Sequence, residues 1–228
     1  MTFSLFLALG LAPVKLLLAS NNSKKLAELT LLLDEAAELE PELAELHLRL
    51  VLPADIGGLP DVIEDQPTFA ANASKKARSA ARASGLWSLA DDSGLEVDAL
   101  GGAPGVHSAR FAGEHGDDAA NNRLLIERLR DVPEPRRGAR FVCALALARP
   151  DGSIALALEA QARGRILQRA RGSHDFGYDP LFLFSEPGFA QTGRGFAELE
   201  PAEKSEVSHR GRALRALVQR LPHAVLAV

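Results

Sequence analysis

Two adjacent carboxylates, Asp91 and Asp92, stand where chemistry is most readily done in this chain. The apolar run Leu86-Trp87-Ser88-Leu89-Ala90 precedes them, and Ser93-Gly94 follow. The run predicts a short buried strand with the acids at its C-terminal end. Ligands of open α/β sheets collect at that end of the strands. Neighbouring carboxylates repel unless a cation or a proton joins them, and hard oxygen donors suit magnesium. Asp91-Asp92 is thus a candidate metal and general-base site. The same Asp-Asp-Ser-Gly also makes a good turn, because Asp and Ser bond their own backbone and Gly admits positive φ.

A second candidate is Ser20-Asn21-Asn22-Ser23-Lys24-Lys25, between an apolar run and a leucine-spaced segment. Residues of these types cap helices, so the stretch is a strand-to-helix turn with free backbone N–H groups. Lysines in a first helical turn oppose the helix dipole unless an anion joins them, and a helix N-terminus with lysine suits phosphate. It has no glycines and is not a Walker loop. The plain alternative is a capped helix with solvated lysines. Glu64 and Asp65, in a loop from Pro53 to Pro67, offer a second metal carboxylate or a solvated loop. The alanine-rich segment 68–84 predicts a helix whose Lys75, Lys76, Arg78 and Arg82 form an exposed cationic face, with Lys76 a candidate to turn towards phosphates. The six histidines have no paired spacing, which argues against zinc.

The elements that must position these groups alternate early and pair late. Strands are expected at 14–19, 47–52, 86–90, 140–148, 154–162 and 181–184. Helices are expected from Lys24 to about Glu40, over 68–84, from the Asp117 cap to about Leu129, and from the Ser208 cap to about Leu221. Pro150-Asp151-Gly152 between two apolar runs predicts a hairpin. The fold class expected is α/β, a mixed twisted sheet with helices on both faces. No linker divides the chain, so residues 14–228 form a single domain. The apolar residues 1–13 are expected to be a disordered extension, too short and uncharged for a leader or a span.

Composition is that of a globular protein, 46% hydrophobic and 25% charged. A net charge of −4 argues against a nucleic-acid polymer as partner. A single cysteine, Cys143, excludes an internal disulfide and fits a reducing, cytoplasmic compartment. No stretch suits a membrane.

Four separated pieces share one pattern: Ser20 to Lys25, Ala90-Asp91-Asp92-Ser93-Gly94-Leu95, Phe176-Gly177-Tyr178-Asp179-Pro180, and Glu203-Lys204-Ser205 with Ser208-His209-Arg210. Leu100 to Gly105 and Ser108 to Phe111 fit as well. Together, over residues 14–222, they resemble the inosine triphosphate pyrophosphatase family. The resemblance implies Mg²⁺-dependent hydrolysis of ITP, dITP and XTP to the monophosphate and pyrophosphate. It also implies an elongated sheet with two lobes about a central cleft, and a homodimer. Asp92 would take the proton-acceptor and metal role, with Glu64 or Asp65 as second metal carboxylate and Glu64 preferred. Ser20, Asn21, Asn22, Ser23, Lys24 and Lys25 would hold the triphosphate. Ser93 would touch substrate, Phe176 would stack on the base, and Gly177, Tyr178 and Asp179 would shape its pocket. Lys204, His209 and Arg210 would complete the base and ribose side. The chain departs from the family at Asn21, Lys24, the 63–67 loop and Ala71, where the pattern has a glutamate. Two other readings are an aspartyl phosphatase, which wants an Asp-x-Asp after the first strand that is missing here, and a non-catalytic nucleotide-binding module.

Overall fold

The structure is a computed structural model that describes residues 13–20, 23–173 and 176–226, and leaves the side chains of Ser23, Lys24 and Leu39 undescribed. The expected extension therefore lies outside the described residues except for Pro13, as do Asn21, Asn22 and the side chains of Ser23 and Lys24. In chain order the elements are β1 (Lys15–Leu18), α1 (Ser23–Leu39), α2 (Pro41–Glu45), β2 (Arg49–Val51), α3 (Phe69–Ser84), β3 (Trp87–Val97), α4 (Asp118–Arg128), β4 (Gly138–Ala148), β5 (Ile154–Ile166), β6 (Phe182–Phe184), α5 (Pro201–Val207) and α6 (His209–Leu226). The strands form one six-stranded sheet in the order β2-β1-β3-β4-β5-β6. β1 pairs in parallel with β2 and β3, because helical crossovers return the chain to the same end of the sheet. The pairs β3–β4, β4–β5 and β5–β6 are antiparallel. The expected mixed sheet flanked by helices is the fold observed.

One expectation about the third strand is corrected. β3 does not stop at Ala90 but runs through Asp91, Asp92, Ser93 and Gly94 to Val97. Asp91 pairs with Leu145 and Asp92 with Ala144 on β4, so neither acid sits in a turn. The long partner β4 supplies ladder bonds, and each carboxylate has a cation on its own face. Parallel pairing with β1 ends at Leu18–Leu89, so the acids begin where β1 has run out.

Several local signals act as read. Asp117 caps α4 by accepting from Ala120 N at 2.8 Å. The β4–β5 turn closes with Arg149 N donating to Ser153 O at 2.8 Å, and Gly152 takes φ +85°. Ser208 Oγ accepts from Gly211 N at 3.1 Å at the start of α6. That helix continues past the expected Leu221 to Leu226, with Pro222 inside it. Residues 41–45 and 201–207, given no helix in the sequence reading, are the short helices α2 and α5.

The core divides along the long strands. One cluster packs α1, α2 and α6 on Leu89, Leu145 and Leu147. A second gathers Leu95, Val97, Leu125, Phe141, Phe182 and Phe196 around the other end of β3–β5. A third is made almost wholly of alanines: Ala73, Ala77 and Ala81 of α3 meet Ala90, Ala144, Ala146 and Ala148. Side chains this small let α3 lie close on the sheet. That approach brings Asn72 and Lys76 to Asp92. No described helix is long and apolar enough to cross a membrane.

Candidate active site

Side chains of a strand alternate between its two faces, so adjacent acids within β3 point in opposite directions. Asp91 faces α1 and α6, and Asp92 faces α3. They do not share a cation, as the sequence reading had them do; each has its own.

On the first face, Lys25 from the first turn of α1 donates to both oxygens of Asp91, at 2.7 and 2.8 Å. Arg210 Nη2 lies 3.8 Å from Asp91 Oδ2 and donates to Ser93 Oγ at 3.2 Å. Asp91 and Ser93 are two apart on one strand, which is why one guanidinium reaches both. Burial works against the Asp91 charge, but Lys25 and Arg210 together outweigh it and hold the carboxyl below its ordinary value. A small cavity of about 20 Å³ lies here, lined by Lys25, Asp91, Arg210 and four leucines besides Leu18.

On the second face, Lys76 donates to Glu64 Oε1 at 2.9 Å and lies 3.6 Å from Asp92 Oδ1. Asp65 turns instead to Lys75, at 2.7 Å. Glu64, not Asp65, is thus the loop carboxylate that shares a cation with Asp92. Arg110 Nη2 steadies that loop by donating to Glu64 O at 3.1 Å. Asp92 is held differently from Asp91. Burial raises its pKa, Lys76 opposes this, and the nearby Glu64 charge adds to the rise. Its Oδ2 is buried with no hydrogen-bond partner among the described residues; the Asn72 amide is near enough to favour the charge but not placed to bond it. A buried carboxylate oxygen left open is costly unless a ligand meets it.

The third group lies beyond the end of β5. Phe176 is 45% exposed. Lys204 of α5 pairs with the buried Asp179, and its Nζ stands 5.8 Å from the centroids of both Phe176 and Phe196. Burial raises the Asp179 pKa, with Lys204 opposing. Tyr178 is buried and its hydroxyl donates to Ser108 O at 2.9 Å. His209 stacks on Phe141, centroids 4.8 Å apart and planes 11° apart. Burial first, then the charges of Arg210, Lys204 and Arg212, push its pKa well below 6.5. Gly211 follows because a Cβ there would fall 1.9 Å from Ser205 O.

The residues read from the sequence therefore gather on three adjoining surfaces. Lys25, Ser93 and Arg210 are on one, Glu64 and Asp92 on the next, and Phe176, Gly177, Tyr178, Asp179, Lys204 and His209 on the third. Ser20 lies just past β1, its N–H donating to Leu18 O at 2.8 Å. Sequence reasoning gave no separate role to Asp91, and it assigned none to Asn72 or Arg110. Asp91 was treated as half of a pair, and only the strand's periodicity separates the two. Among the described residues no three His, Cys, Asp or Glu side chains cluster to hold a metal alone. Asp92 and Glu64, with one open buried oxygen, suit an oxygen-preferring cation that completes its shell with water or ligand oxygens.

The fold is mixed α/β, and acids, lysines and an exposed aromatic ring lie on adjoining surfaces. The chain matches the Ham1 family over residues 16–220 and belongs to it. It is 47% identical over 205 residues to the dITP/XTP pyrophosphatase of Corynebacterium diphtheriae, covering 90% of this chain and 95% of the relative. It is 50% identical over 206 residues to the enzyme of the same description from Mycolicibacterium paratuberculosis, covering 90% and 95%. Among solved structures, a HAM1 protein from Coxiella burnetii superposes with a TM-score of 0.80 at 37% identity, covering 92% of this chain and 99% of that one. The dITP/XTP pyrophosphatase of Mycobacterium abscessus superposes with a TM-score of 0.72 at 45% identity, covering 91% and 100%.

Proposed function

We propose that this chain hydrolyses non-standard purine nucleoside triphosphates, dITP, ITP and XTP, to the monophosphate and pyrophosphate. The observation that carries the reading is Asp92: a buried carboxylate with one open oxygen, facing Lys76 and Glu64, in a chain half identical to enzymes described by that activity.

In this reading Asp92 accepts the proton of the water that attacks phosphorus. Its raised pKa makes it a stronger base than an exposed aspartate, provided it is ionised. Lys25 and Lys76 come to the phosphates from opposite faces of β3 and offset charge that grows on the leaving pyrophosphate. Positioning and electrostatics carry most of the rate in such displacements. Mg²⁺ suits the oxygens of Asp92 and Glu64, and when bound would neutralise phosphate charge. Asp91 holds Lys25 and Arg210 in place before substrate arrives. The homodimer implied by the resemblance belongs to the same reading, and equilibrium sedimentation tests it.

Phe176 offers its exposed face to the base. Hypoxanthine and xanthine carry an acceptor at the 6-position, where adenine carries a donor. Donors such as Arg210 lose a bond to adenine, and each unpaired buried group costs about 1–3 kcal/mol. A panel of nucleoside triphosphates with magnesium tests the reading. Pyrophosphate from dITP and XTP, with ATP turned over far more slowly, is expected. Orthophosphate as first product would point to a phosphatase. Binding without turnover would point to a sensing module.

A further inference from the structure

Gly177 joins the exposed Phe176 to the buried Tyr178, and its two backbone polar groups are held by one helix. Its N–H donates to Asp118 Oδ2 at 2.8 Å, and its carbonyl accepts from Asn122 Nδ2 at 2.8 Å. Asp118 and Asn122 are four apart on α4, hence on one face and one turn from each other. Gly177 has φ +55°, a conformation that L side chains rarely adopt. A carboxylate and an amide four residues apart therefore grip both ends of one residue in that conformation.

The helix that does this is fixed at both ends. Asp117 caps its start. Arg137 meets the carbonyls at its end, donating to Leu129 O at 2.7 Å and Val132 O at 2.8 Å. Asn121, on the neighbouring face, accepts from Ala112 N at 2.8 Å, and Leu125 and Leu129 are fully buried in the second core cluster. Downstream of Gly177, Tyr178 is pinned through Ser108, whose Oγ accepts from Leu95 N of β3 at 2.9 Å. Phe176 is thus set by a clamp on one residue and an anchor on the next.

We infer that Asp118 and Asn122 are positioning residues for base recognition: they hold Gly177 so that the Phe176 ring keeps its stacking attitude. The inference rests on reading Phe176 as the ring that meets the base. Neither residue touches the groups on β3, so their loss should weaken the base contact and spare the chemical step.

The test compares KM and kcat for dITP with the inhibition constant of inorganic tripolyphosphate, which has no base. Asp118→Ala and Asn122→Ala should each raise KM by about 3–10-fold with kcat within about 2-fold. Tripolyphosphate inhibition should not change. Asp118→Asn keeps an acceptor for the Gly177 N–H and should restore the wild-type KM. Asn122→Asp sets a carboxylate against the Gly177 carbonyl and should do more harm than alanine. An unchanged KM in both alanine variants, or equal weakening of dITP and tripolyphosphate, overturns the clamp. Phe176→Ala runs in the same panel. If it raises KM while the clamp variants are silent, only the clamp is lost. If it leaves KM at the wild-type value, the stacking reading falls and takes the clamp with it.

Discussion

Lys76 Nζ stands 3.6 Å from Asp92 Oδ1. The same ammonium bonds Glu64 at 2.9 Å. One ammonium thus meets both of the carboxylates that would hold the proposed magnesium. Asp92 and Glu64 keep the lysine charged, outweighing its burial. Removing it should therefore have opposite effects on ion binding and on turnover. Lys76→Met should bind Mn²⁺ more tightly than wild type without nucleotide, by calorimetry or electron resonance, yet hydrolyse dITP more slowly. Weaker Mn²⁺ binding would show that the lysine does not compete with the ion.

The two acids of β3 should separate in a stability experiment. Asp91→Asn leaves Lys25 and Arg210 facing a neutral amide, and breaking a buried ion pair from one side costs about 3 kcal/mol or more. Asp92→Asn removes a carboxylate that burial already disfavours, so its melting temperature should equal or exceed wild type. Thermal melts of both variants check this. Equal losses in the two would mean that the faces are not as distinct as their partners suggest.

His209 should give stability a pH dependence. Its folded pKa is well below the ~6.5 of an unfolded histidine, so between these values the unfolded chain binds the extra proton. Stability is therefore fully present above ~6.5 and falls as pH drops below it. Urea unfolding at pH 8 and pH 5.5 should show a larger loss for wild type than for His209→Gln. Parallel losses would assign the acid sensitivity to other groups.

Gly94 lies two residues beyond Asp92 and leaves no room for a side chain. A Cβ would sit 2.3 Å from Ser108 Oγ, 2.8 Å from Gly105 O and 2.9 Å from the Phe69 ring. Ser108 is already committed, donating to Gly105 O at 2.6 Å and accepting from Leu95 N. Gly94→Ala should cost about 1–3 kcal/mol in denaturant unfolding. A variant as stable as wild type would show that this junction yields.

Much of the framework was legible because its signals are local. The Pro-Asp-Gly turn, the Asp117 and Ser208 caps and the alanine-rich helix each depend on residues within one turn. The extent of β3 was not. Asp-Asp-Ser-Gly favours a turn by itself, and the pairing with β4 that overrides it is set by residues some fifty positions away. A strand that continues past two acids sends them to opposite faces, so the error in length concealed the division of labour between Asp91 and Asp92. Contacts such as Lys204 with Asp179 or Arg110 with Glu64 join distant segments and leave no mark on local spacing. Lys25, Asp92, Phe176 and Arg210 were found as members of a pattern; their partners were found only in space.

The most direct test is single-turnover hydrolysis of dITP by Asp92→Asn, with nucleotide affinity measured on the same sample. The account predicts a rate lower by about 10²–10⁴-fold, the usual worth of a positioned general base, with dITP affinity close to wild type. Turnover within a few-fold of wild type would contradict it and remove Asp92 from the chemistry.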